Sequence, residues 1–94
     1  MFYVPLKKKG HTRITFLGDD IIVTFHSTNI VVFNNKRIIL NSNGWLTPTT
    51  KERMNQASDE FELGFRIFQK DFTWFVKLQS GNVFDFKDGM TIYR

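Results

Sequence analysis

The stretch NSNGWLTPTTKERMNQASDEFE, residues Asn41–Glu62, decides the fold. It holds the one convincing helix and separates two β-rich halves. Asn43-Gly44 has the chemistry of a turn. Two helix starts fit behind it. Thr49 with Glu52 three residues on is a capping box. Thr47 with Pro48 at the first helical position serves equally well, because that position has no use for the missing N–H. Thr50, Met54, Ala57, Ser58 and Phe61 then fall at i, i+4, i+7, i+8 and i+11, a single helical stripe. Lys51, Glu52, Arg53, Gln56, Asp59 and Glu60 are assigned to the solvent side. Gly64 is placed to end the helix, which is predicted over about residues 48–62.

Outward from the helix, both halves alternate as strands do. Thr12–Leu17 and Ile21–His26 form a hairpin closed at Gly18-Asp19 or Asp19-Asp20. Either turn puts Ile14 and Phe16 on one face with Ile21, Val23 and Phe25. A turn near Thr28-Asn29 is expected to carry that face on to Ile30 and Val32. Val31, Phe33, Ile38 and Leu40 then share the opposite face, and the helix is expected to cover it. After the helix come Phe65–Lys70, Thr73–Gln79, Val83–Phe86 and a closing strand at Met90–Tyr93. The predicted class is α+β: a β-meander, one helix and a second β-meander, with the helix packed on a twisted or partly rolled antiparallel sheet. The 94 residues suffice for one domain with one modest core. Residues 1–11, with Lys7-Lys8-Lys9-Gly10-His11, read as a flexible basic N-terminal segment.

The hairpin Phe65–Gln79 carries the functional signal. A turn at Asp71-Phe72 pairs Phe68 with Phe75 and Arg66 with Lys77. One face then reads Phe65, Ile67, Trp74, Val76 and Leu78, which is core. The other interleaves Arg66, Phe68, Lys70, Phe75, Lys77 and Gln79. Such a face suits single-stranded nucleic acid, since rings stack bases and cations track phosphates. Arg66 opposite Lys77 is a like-charge pair that a bound anion would relieve. The competing expectation covers Phe68 and Phe75 with the helix or the N-terminal segment and leaves the cations to snorkel at the edge. A three-residue turn Ser80-Gly81-Asn82 would bury Phe84 and Phe86 and expose Asp85, the cheaper choice. On the helix, Lys51 and Arg53 are secondary contact candidates, helped by threonines at the helix start.

Composition excludes more than it selects. There is no cysteine, hence no disulfide and no thiolate chemistry. The two histidines have no nucleophile or carboxylate at a recognisable spacing, and no phosphate-loop or metal-ligand motif occurs. No enzyme, cofactor or metal is therefore expected. No apolar run approaches the ~20 residues of a membrane helix, and the apolar start precedes its charges, unlike a signal peptide. A soluble, cytoplasmic protein is expected. Thirteen basic and nine acidic residues give a net charge of +4, which permits an anionic partner without demanding one.

GWLTPTTKERMNQ, GFRIFQKDFTWFV and FKDGMTIYR together resemble small uncharacterised proteins of tailed bacteriophages, marine phages among them. The likeness covers roughly the second half of the chain. It implies a phage origin and the cytoplasm of an infected host, and no activity. Two functions remain open from sequence: a nucleic-acid-binding accessory protein using Arg66, Phe68, Lys70, Phe75 and Lys77, or a module that docks on a host or phage protein. Eleven phenylalanines and several edge strands suit the second.

Overall fold

A computed structural model describes residues 12–94. The lysine run, His11 and the expected N-terminal segment lie outside the described residues. The elements follow the order β1 (Thr12–Leu17), β2 (Asp20–Phe25), β3 (Thr28–Phe33), β4 (Arg37–Leu40), α1 (Pro48–Phe61), β5 (Phe65–Lys70), β6 (Thr73–Leu78), β7 (Val83–Asp85) and β8 (Met90–Tyr93). The α+β class stands, with one helix against antiparallel strands. Those strands divide between two sheets, ordered β1-β2-β3-β4-β8 and β5-β6-β7. β8 leaves the second meander and closes the first sheet, pairing Ile38 with Ile92 and Leu40 with Met90.

Of the two helix starts, Thr47 is the one used. Its side chain accepts from the Thr50 N–H at 3.2 Å, and Pro48 occupies the first helical position. Thr49 and Glu52 make no capping box. Thr50, Met54, Ala57 and Ser58 are buried, as the stripe predicts. The helix ends at Glu62, which is left-handed at φ 55°, while the Leu63 N–H donates to the Ser58 carbonyl. The stop thus falls two residues before Gly64.

Polar helix residues also fix where α1 docks. Asn55 donates to the Ile67 carbonyl and accepts the Ile67 N–H, at 2.9 and 2.7 Å. Ser58 does the same for Phe65, at 2.6 and 3.1 Å. The outer edge of β5 is thereby satisfied as if by another strand, which removes one exposed edge. Met54 and Ala57 reach the shared core beside Val31, Leu40, Ile67 and Val76, all essentially inaccessible.

The first meander departs from expectation at one point. The β2–β3 turn is at His26-Ser27, and the register shifts after Val23, so that Ile30 is an extra residue in β3. This β-bulge reverses the facing of everything beyond it. Val31 now pairs with Val23 and Phe33 with Ile21. The two faces expected to be opposite are one, continuous through Leu40 and Ile38. The helix covers this merged face: Phe61 meets Phe33 with ring centroids 4.9 Å apart.

Candidate nucleic-acid interface

The β5–β6 register is the predicted one, with Phe68 opposite Phe75 and Arg66 opposite Lys77. Alternation then sends Phe65, Ile67, Trp74 and Val76 into the core. On the other face the rings of Phe68 and Phe75 stack, with centroids 5.5 Å apart and planes 26° apart. Each is half-buried, while Arg66, Lys70 and Lys77 are exposed. The pair is thus neither sealed into the core nor freely presented.

Two acids enter this face. Arg66 donates to Asp59 of the helix at 2.8 Å, with both side chains more than half exposed. The like-charge opposition of Arg66 and Lys77 is therefore relieved from within, where a bound anion was expected. Sequence could not supply this contact, because it depends on the helix lying along the β5 edge. Asp85 pairs across from Phe75, so the third strand adds a carboxylate as expected. The turn before it is Gln79-Ser80-Gly81, bounded by the Leu78 N–H donating to the Asn82 carbonyl at 2.8 Å. It sits one residue earlier than predicted but keeps the same alternation. Phe84 is nonetheless 48% exposed, a correction to its expected burial. It faces the core side of a three-residue edge strand that reaches past the edge of the core. Phe86 is half-buried, its ring 5.3 Å from Trp74.

The helix candidates do not join this face. Lys51 is half-buried. Arg53, assigned to solvent from its polarity, is buried at 9% exposure, and its guanidinium lies 5.6 Å from the Phe25 ring centroid. It follows Thr49 and Thr50 at i+4 and i+3, so it widens the buried stripe by one row. Its long side chain runs back toward the helix start.

There it lines a cleft of about 770 Å³ between the β2–β3 turn, the helix start and the loop before it. Asp88 organises that loop, accepting from the Ser42 N–H and hydroxyl, both at 2.7 Å, and from the Gly44 N–H at 3.1 Å. Burial alone would raise the Asp88 pKa. The hydrogen bonds from Ser42 and Gly44 outweigh it and hold the carboxyl below its ordinary value. Among the described residues no group of three or more His, Cys, Asp or Glu could hold a metal. Among the described residues no helix is long and apolar enough to cross a membrane.

Among the described residues, fold and surface define a small α+β protein with one helix on two antiparallel sheets. The family model described as Kyanoviridae Gp96 protein matches residues 6–93, and the chain belongs to that family of tailed cyanophages. No curated protein and no solved structure matches it.

Proposed function

We propose that this chain is a non-enzymatic accessory protein, acting in the cytoplasm of the infected cell, that binds single-stranded nucleic acid along the Phe68–Phe75 face. The observation that carries it is the partly exposed stacked pair set among Arg66, Lys70 and Lys77. A base laid on either ring keeps an aromatic contact of a kind indifferent to sequence. Lys70 and Lys77 serve adjacent phosphates, and Arg66 exchanges an exposed ion pair, worth little in water, for a third. Asp85 disfavours phosphate beyond Phe75, so the strand runs along the hairpin and does not cross β7.

A labelled oligonucleotide titrated at several salt concentrations tests this. Two phosphate contacts give a log–log slope of about −1.4 and three give about −2, at roughly −0.7 each for single strands. Absence of binding at low salt overturns the proposal.

A protein partner is favoured by a different observation. Among the described residues β7 is an edge strand on which Val83 and Phe84 are about half exposed, and Phe72 is 95% exposed at the tip of the adjacent hairpin. Phe72 holds φ 65°, unusual for an aromatic residue. Edge pairing with apolar anchors is a common mode of protein docking. Capture from host lysate with and without nuclease separates the two: a stoichiometric protein that survives nuclease favours the edge.

A further inference from the structure

The cleft beside Arg53 is independent of the Phe68–Phe75 face and holds an ionic group the fold leaves incompletely used. Arg53 is nine-tenths buried and lines the cleft, and its Nε and Nη1, closed to solvent as the fold stands, have no hydrogen-bond partner. The nearest acid, Glu52, is a solvent-facing neighbour with Oε1 3.6 Å from Nη1, too far for a hydrogen bond. A buried guanidinium with unused donors is costly, and an oxyanion is the group that satisfies it.

The surroundings suit that anion. The cleft is lined by the start of a 14-residue helix with no acid in its first turn. Pro48 has no N–H, Thr47 caps the Thr50 N–H, and the Lys51 N–H bonds to the Thr47 carbonyl at 3.1 Å. The Thr49 N–H is the first-turn donor left without a partner inside the helix. The hydroxyls of Thr49 and Thr28 line the same space. At the rim Trp45 is 63% exposed, yet its backbone is fixed by the Ser42 carbonyl at 2.9 Å and by the loop gathered on Asp88. An exposed indole on an anchored backbone is a ready platform for a flat ring. The volume suits a small organic ligand.

We propose that this cleft binds a phosphate monoester joined through a sugar to a planar ring, the chemistry of a nucleoside monophosphate. The phosphate sits between Arg53 and the helix start, and the ring lies on Trp45. That chemistry has two sources, a free mononucleotide or the 5′-phosphorylated end of a strand.

Tryptophan fluorescence and calorimetry test it on the full chain. Trp45 is exposed and Trp74 is 5% exposed, so quenching by small solutes reports chiefly on the cleft. Adenosine monophosphate should quench saturably in the millimolar range or below, with adenosine about tenfold weaker or worse, the scale of a lost charged hydrogen bond. Ribose 5-phosphate should be weaker by about 5- to 150-fold, the scale of a lost base stack. Arg53→Gln should weaken binding at least as much as removing the phosphate does. Because Arg53 is buried and that variant can misfold, Trp45→Leu, followed by calorimetry, is the second arm. It should melt like the parent and bind weakly. A 5′-phosphorylated oligonucleotide that competes where its 5′-hydroxyl counterpart does not assigns the source to strand ends. Adenosine binding as well as its monophosphate, or full affinity in folded Trp45→Leu, overturns the proposal.

Discussion

Phe75→Ala separates a core aromatic from a binding aromatic in one protein. Truncating a fully buried Phe costs about 3–5 kcal/mol. Phe75 is partly buried, and among the described residues its ring stacks on Phe68. Phe75 keeps most of that burial, so with the stacking contribution included the loss is about 2–4 kcal/mol. For a domain of this size that is a fall of about 8–32 °C in Tm. If a base stacks on the ring, affinity for a short oligonucleotide should fall by about 1–3 kcal/mol, roughly 5- to 150-fold. Urea unfolding and fluorescence anisotropy, run at one temperature where both proteins are folded, measure the two effects separately. A stability loss on the full core scale, with oligonucleotide affinity per folded molecule unchanged, would falsify the proposed interface. Loss of affinity with only the smaller stability cost would retain it.

Met54→Ala should lose about 2–5 kcal/mol in urea unfolding, because Met54 is fully buried at the centre of the helix stripe; a neutral result would mean the helix does not pack on this core. Gly64→Ala should destabilise by more than about 1 kcal/mol, since φ is +79° and the new Cβ would meet Gln79 Oε1 at 3.1 Å; an unchanged midpoint would contradict that geometry. The Asp88 pKa is lower in the folded chain than its ordinary value. Its contribution is therefore complete above the unfolded pKa of about 3.9 and fades as pH falls through the folded value. Asp88→Asn should lower stability at neutral pH and flatten the acid limb of a stability–pH curve; an identical acid limb in both proteins would refute the role given to Asp88.

What could be read from sequence was local. The β5–β6 register follows from alternation around a two-residue turn, and the Thr47-Pro48 start follows from capping chemistry. The bulge at Ile30 has no glycine or other local mark, so the first meander was assigned two apolar faces where the chain builds one. β4 and β8 are separated by about fifty residues, and nothing in either strand names the other. Arg53 was misplaced because polarity was taken as exposure, although its i+3 relation to Thr50 already set it beside the buried row. Asn55 went unnoticed for the same reason. A side-chain amide that completes a strand edge looks, in sequence, like any solvated helix residue.

The two surfaces differ in how their cations are already answered. On the hairpin face Arg66 has Asp59, and Asp85 stands across from Phe75. Lys70 and Lys77 are solvated, so an incoming phosphate replaces water and gains little from either. Affinity there must come mainly from the rings, and the two or three solvated phosphate contacts leave it loose, with a log–log salt slope of about −1.4 to −2. In the cleft the balance is reversed. Arg53 has lost most of its water and gained a distant carboxylate and the face of the Phe25 ring, neither of which accepts a hydrogen bond from it. An anion that reaches it restores hydrogen bonds the fold does not provide, and in a less polar setting each is worth more. Raising salt should therefore release an oligonucleotide from the hairpin well before it releases a mononucleotide from the cleft. Running both titrations across one salt series compares the two sites directly, and equal salt sensitivity would contradict the burial-based distinction between Arg53 and the hairpin lysines.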